Sequence, residues 1–170
     1  MPRRRRHAAP PSPPPLGGIA IDGANVIANV RARAIERLQQ AVQWFRAWRP
    51  DLPVSVFLDH STWARCAERV QAGLDRLVAA SGHTNVHHVV CPPGGPADVP
   101  LLRHAAASRS LVVSNDRFFA HADLRANAIT VQFAFADGMF APFREATWFR
   151  RPGQAAWVPM AELRDRRPES

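Results

Sequence analysis

Four aspartates in this chain stand at the end of a short apolar run or at the head of one, and carboxylates so placed are candidates for holding a metal ion. Ile19-Ala20-Ile21-Asp22-Gly23-Ala24-Asn25, Val54-Ser55-Val56-Phe57-Leu58-Asp59 and Leu111-Val112-Val113-Ser114-Asn115-Asp116 share one shape, and Pro96-Ala97-Asp98-Val99-Pro100-Leu101-Leu102 adds a fourth acid. If the apolar runs are neighbouring parallel strands, their carboxyl ends bring several of these carboxylates to one edge of one sheet. Two like charges ~4 Å apart cost about 4 kcal/mol at an effective dielectric of ~20. A divalent cation between them removes that cost. It also supplies chemistry, acidifying a water and stabilising charge that develops on an oxygen.

The elements that must position these acids can be read from periodicity and punctuation. Ile19 to Ile21 is a short buried strand. Arg31 to Trp48 has helical spacing, with Ala34, Leu38, Ala41, Val42 and Phe45 on one face, and Pro50 and Pro53 stop it. Val54 to Leu58 is the second strand. Ser61 or Thr62 caps a helix running to about Ala80 and ended by Gly82. Val86 to Val90 is the third strand, Cys91 to Pro96 a loop, and Asp98 to Ala107 a helix. Leu111 to Val113 is the fourth strand, Asp116 to about Arg125 a helix, and Ile129 to Phe135 the fifth strand. Strands alternating with helices predict an α/β fold with a central parallel sheet of about five strands flanked by helices. After Phe143 the pattern fades. Trp148, Trp157, Met160 and Leu163 are apolar anchors for a C-terminal extension (144–170), with a short helix expected at Met160 to Arg164.

Residues 1–17 read as a disordered, basic, proline-rich tail, which leaves one folded domain over 18–143. The chain has 170 residues, 46% of them apolar, enough for a real core. It contains no apolar stretch long enough to span a bilayer and no apolar leader segment behind Arg3 to Arg6. Cys66 and Cys91 provide neither a disulfide framework nor a paired zinc motif. A cytoplasmic protein that does not enter the membrane is therefore expected. The formal net charge is +8, which suits an anionic partner such as nucleic acid. All 22 basic residues are arginine, so phosphate-binding lysines, Schiff bases and a pyridoxal phosphate anchor are excluded.

Taken together, these segments resemble a family. Ile21-Asp22-Gly23-Ala24-Asn25-Val26 is similar to the opening motif of NYN domains, a branch of the PIN-like ribonucleases. Val112-Val113-Ser114-Asn115-Asp116 resembles the later acidic motif of the Regnase type, the CCCH zinc-finger ribonucleases. Asp98 with Leu101, Leu102 and Ala105 resembles the central acidic helix, and Val131 to Pro142 the closing strand and the loop after it. Val56-Phe57 followed by Trp63 is similar to the second strand and its tryptophan. The resemblance spans roughly residues 18–143 and implies a three-layer PIN-like fold and a metal-dependent endoribonuclease acting on RNA. It implies that Asp22, Asp98 and Asp116 hold Mg²⁺ or Mn²⁺, with Asn25 orienting Asp22 or touching the phosphate. Ser114 and Asn115 would support the last acidic corner. Cleavage by water would leave a 5′-phosphate and a 3′-hydroxyl.

The chain departs from the Regnase pattern at three places. Ala97 stands where the first of two adjacent acids is usual. No acid follows within Arg117, Phe118, Phe119 and Ala120, and Asp123 is the nearest substitute. Asp59 stands where the Regnase type lacks an acid, and it is expected to face the cluster as a fourth metal carboxylate while Asp123 faces solvent. With two cysteines no CCCH zinc finger exists. Arg31 and Arg117 are candidates for backbone phosphates and Trp63 for stacking on a base. His87, His88 and Cys91 fit ordinary strand residues better than a zinc site. A phosphatase that uses Asp22 as a nucleophile needs an acid at Ala24 and a lysine, and has neither. The competing reading is a catalytically weak or inactive PIN-like RNA-binding or scaffold protein. The sequence leaves a homo-oligomer open.

Overall fold

In a computed structural model, the structure describes residues 15–27, 31–80, 84–126, 128–145 and 157–159. The expected tail up to residue 14, the helix stop at Gly82, the anchors Trp148, Met160 and Leu163 and the short helix from Met160 lie outside the described residues. Seven strands form one sheet: β1 (Gly18–Asp22), β2 (Val54–Leu58), β3 (Val86–Val90), β4 (Ser110–Val113), β5 (Ile129–Ala136), β6 (Met139–Glu145) and β7 (Trp157–Pro159). Their order is β3-β2-β1-β4-β5-β6-β7. The first five run parallel, as the sequence predicts, and β6 and β7 extend the sheet antiparallel.

The central strands are covered on both faces, which is why β1, β2 and β4 read as unbroken apolar runs. Alternate residues point to opposite faces. Ile19, Ile21, Val54, Val56, Leu58, Leu111 and Val113 form one core with α2 (Ala34–Trp48) and α4 (Glu68–Ala80). Ala20, Phe57 and Val112 form the other with α5 (Asp98–Ser108). Asp22 follows Ala20 by two and Ser114 follows Val112 by two, so the same periodicity turns both polar groups toward the α5 side. Three layers result, as expected of the NYN, PIN-like class. The helix α2 buries the predicted stripe, Leu38, Ala41, Val42 and Phe45, after a 3-10 turn at Arg31–Arg33.

Four elements differ from the sequence expectation. The helix after β2 is two helices, α3 (His60–Ala64) and α4, and its cap is Asp59 rather than Ser61 or Thr62. Gln71 bridges the break, its side-chain amide donating to the carbonyls of Trp63, Ala64 and Cys66 at 3.3, 3.2 and 3.0 Å. The helix expected from Asp116 shrinks to a 3-10 turn, Phe119–His121, and α6 (Ala122–Arg125). The Asp116 carboxylate accepts the Phe118 N–H at 3.0 Å, and Phe118 takes a left-handed φ of 49° to drop its ring into the α5 core. A helix cannot start through that kink. Residues after β5 do not form a loop: Asp137 and Gly138, with φ of 50° and 77°, make a two-residue turn into β6. Finally, the C-terminal segment adds β7 to the sheet edge, Trp157 pairing with Glu145.

At the other end of the described chain, Leu16 packs on the core and the Gly17 N–H donates to the Arg109 carbonyl at 3.1 Å. Among the described residues, no helix is long and apolar enough to cross a membrane.

Candidate active site

The strand order reverses between β1 and β4, and in open parallel sheets the crevice at such a point, beyond the carboxyl ends, is where ligands bind. Asp22 ends β1 and Ser114-Asn115-Asp116 follows β4, so the two motifs flank that crevice. The helix α5 runs back across β1 and β4 toward the start of β4, so Asp98 in its first turn sits at the same edge. Gly23 is needed at the turn out of β1. A Cβ there would lie 2.8 Å from the Phe57 carbonyl oxygen and 2.5 Å from Leu58 Cδ1. A glycine lets α1 (Gly23–Ile27) leave the strand tight against β2.

Asp22 is 6% exposed and both its oxygens are held by neutral donors. The Asn25 backbone N–H donates to Oδ1 at 3.0 Å and the Ser114 hydroxyl to Oδ2 at 2.7 Å. The same Ser114 oxygen accepts the Asp116 N–H at 3.0 Å, so one hydroxyl sets the position of two acids. Burial pushes the Asp22 carboxyl up to about 6 against the pull of these hydrogen bonds, and the charges of Asp98 and Asp116 add to the rise. Burial also raises Asp98; Asp116 raises it further, His121 opposes, and Asp59 adds a smaller push. The Asp98 carboxylate, half-buried, accepts no hydrogen bond from any described residue.

These carboxylates feel one another's charge, and the charges acting on Asp22 are both negative. An all-oxygen set of this kind, offset only at Asp98 by His121 among the described residues, fits a hard divalent cation. Among the described residues, however, no three His, Cys, Asp or Glu side chains are gathered to ligand distance of a common ion. Charge coupling reaches further than a coordination bond, so both observations hold: the acids share an edge without forming a closed chelate.

The remaining predicted site residues take varied places. Asp59 caps α3, its Oδ1 accepting the Thr62 N–H and its Oδ2 the Thr62 hydroxyl, both at 2.7 Å, with Ser61 adding a third bond. Burial raises its carboxyl, but those hydrogen bonds and Arg65 outweigh it and hold the group below the usual carboxylate range. Asp123 is exposed in α6. Asn25 turns its side chain to Asn115, whose N–H it accepts at 3.2 Å. The Asn115 side chain pairs twice with the Phe133 backbone at 2.9 Å, clamping the end of β4 to β5. Arg117 is exposed beside Asp116. Arg31 opens the 3-10 turn, and its side chain lies outside the described residues. Trp63 packs on the α2–α4 core, where its indole N–H donates to Asp75 at 3.0 Å.

Two residues at this edge escaped sequence reasoning. His121 bears on Asp98 only because the 3-10 turn folds it back. Phe119, 76% exposed, stands out from the same turn. The signal available for both was the unbroken acid-free stretch after Asp116, which reads as helix when its kink is not foreseen.

No family model and no curated protein matches this sequence. Among solved structures, the fold is similar to two of nuclear proteinaceous RNase P 2 (PRORP2) from Arabidopsis thaliana. One has a TM-score of 0.55 at 15% identity, covering 85% of this chain and 37% of that one. The other has a TM-score of 0.53 at 16% identity, covering 76% of this chain and 30% of that one. The present chain therefore spans about a third of those chains' length. At such identity the likeness is one of fold, and it is the α/β architecture around a central parallel sheet that the sequence leads one to expect. It adds nothing to the closer resemblance to the Regnase type.

Proposed function

We propose that this chain is a divalent-metal-dependent endoribonuclease that cleaves single-stranded or looped RNA. The observation that carries the reading is Asp22: a buried carboxylate at the switch point, oriented by neutral donors, and acted on by two further carboxylates and by no cation among the described residues. The fold likeness to ribonuclease structures and the net charge of +8 support it.

Asp22, Asp98 and Asp116 would hold Mg²⁺ or Mn²⁺, with Asp59 contributing field from the neighbouring strand. When bound, such an ion supplies an acidified water and stabilises charge on the phosphoryl and leaving oxygens. The chain's own residues do the rest. Ser114 fixes the Oδ2 of Asp22 and the backbone of Asp116 at once, so the Asp22 carboxylate and the turn that carries Asp116 are held together. Asn25 and Asn115 tie the β1 turn to the β4 turn across the crevice, holding its width. Arg117, exposed next to Asp116, is placed to take a backbone phosphate. Attack by water on phosphorus would leave a 5′-phosphate and a 3′-hydroxyl.

A second reading, an RNA-binding or scaffold protein without strong catalysis, is favoured by two details. Ala97, where a further acid would stand, is buried in the α5 core, and Asp59 is committed to its helix cap. End-labelled RNA incubated with Mn²⁺ or with EDTA, for the wild type and Asp22→Asn, separates the readings. The nuclease requires cutting by the wild type with Mn²⁺ alone. Binding without cutting selects the scaffold, and cutting that survives both EDTA and the substitution points to another mechanism.

A further inference from the structure

We infer that Phe119 is a stacking platform for one base of the RNA strand whose phosphate meets the carboxylates. The inference rests on the proposed function and adds to it how the strand is gripped and why it must be single. Phe119 is the most exposed of the large apolar side chains among the described residues, at 76%, while its neighbour Phe118 is 2% exposed. The two rings are driven apart by the left-handed backbone at Phe118, a conformation disfavoured for a bulky residue.

The turn that presents Phe119 is fixed on every side. The Asn115 side chain is clamped to the Phe133 backbone, and the Asp116 N–H is held by Ser114. The Asp116 carboxylate holds the Phe118 N–H, the Phe118 ring fills the α5 core, and the His121 N–H donates to the Phe118 carbonyl at 2.9 Å. An aromatic carried on a fixed backbone and held in water is a ready surface for a flat partner. Its distance from the acids is bounded. Three residues span at most about 11 Å, so the Phe119 Cα lies within that reach of Asp116. One or two nucleotides of an extended strand cover such a distance. Arg117, exposed between the two, supplies the cation for the intervening phosphate.

Every base has a flat π-face, so stacking of this kind tolerates any sequence but needs a base that is not already stacked in a duplex. An aromatic platform beside a basic residue and the acids therefore fits single-stranded RNA and disfavours paired RNA.

The test is binding, read without cleavage. A fluorescein-labelled ten-nucleotide single-stranded RNA and the same strand in a full duplex are titrated by anisotropy in EDTA with the full chain and with Phe119→Ala and Phe119→Trp. Phe119→Ala is expected to weaken single-strand binding by roughly 5- to 100-fold, Phe119→Trp to retain it, and duplex binding to stay unchanged. The factor lost should be the same at low and high salt, because stacking releases no counterions, whereas loss of a phosphate contact changes the salt slope. Equal single-strand affinity for the wild type and Phe119→Ala overturns the inference while leaving the nuclease reading in place. So does a change in oligomeric state with RNA affinity unchanged, which would make Phe119 a contact for a second copy. A wild type that binds no single-stranded RNA in EDTA also overturns the inference, and the nuclease reading then stands or falls on the Mn²⁺ cleavage assay.

Discussion

Replacing Asp22 by asparagine is expected to stabilise this protein at neutral pH in the absence of metal, although it removes the residue most central to its proposed activity. The carboxyl is raised from an ordinary 3.8 to about 6 by burial first and by Asp98 and Asp116 after it. In the unfolded chain it loses its proton near the ordinary value, and in the folded chain only near the raised one. Between those values the folded state binds more protons, so stability falls as pH rises through the window, and the full penalty stands above it. About 2 units at ~1.4 kcal/mol each make roughly 3 kcal/mol. Asparagine keeps an acceptor for the Asn25 N–H, but it must turn an amide toward Ser114, at a cost of about 1 kcal/mol. The net gain of about 2 kcal/mol corresponds to a melting temperature higher by roughly 4–8 °C for a chain of this size. Thermal melts of both proteins in EDTA near pH 7.5 and pH 4 read it, and the advantage should vanish or reverse in acid. Mn²⁺ at ~100 times its Kd adds about 2.7 kcal/mol to the wild type alone and should cancel the difference. An Asp22→Asn protein no more stable than the wild type at neutral pH, with a difference that ignores pH, refutes the argument that this charge is held unpaired.

Two other substitutions test the neighbours of Asp22. Ser114→Ala should destabilise the fold by about 1–3 kcal/mol in urea melts, because a buried carboxylate and a backbone N–H lose one shared partner, and RNA cleavage should fall with it. Asp59→Asn keeps a good helix cap and removes only charge, so its stability should change by a few tenths of a kcal/mol. Its Mn²⁺ affinity, by titration calorimetry, should drop roughly two- to fivefold, while Asp123→Asn leaves it unchanged. A damaging Asp123→Asn beside a silent Asp59→Asn would reverse that assignment.

The parallel sheet was legible because strands buried on both faces leave unmistakable apolar runs, and the acids that end them mark one edge. Asp22 and Ser114 share a face by the alternation of Ala20 and Val112 before them, so their meeting could be anticipated. What was not legible came from competition between local signals. Asp59, Ser61 and Thr62 are all good caps, and only the extended backbone of Asp59 decides among them. Asp116 looks like a helix start, but burial of Phe118 in the α5 core outweighs helix propensity and forces the kink that exposes Phe119. Asp137-Gly138 carried a hairpin signal that the apolar run through Val131 to Pro142 concealed. Asn115 has the chemistry of a ligand-binding residue and serves as a clamp, because the backbone of Phe133 comes within its reach.

An arginine at the site edge would have relieved Asp22 at once, and the chain has 22 of them. No arginine among the described residues is one of the charges that act on it. Both hydrogen-bond donors to Asp22, a backbone N–H and a hydroxyl, orient the carboxylate without neutralising it. The fold therefore bears a penalty of about 3 kcal/mol above pH 6, a large part of the margin by which domains of this size are stable. Sites that act on ligands commonly carry such costs, because the group that would remove the strain would also occupy the place of the ligand. A scaffold protein that only grips RNA through arginines and aromatics has no use for a buried, unpaired carboxylate. Its place at the switch point, within reach of the charges of Asp98 and Asp116, is what favours the proposed catalytic reading over binding alone.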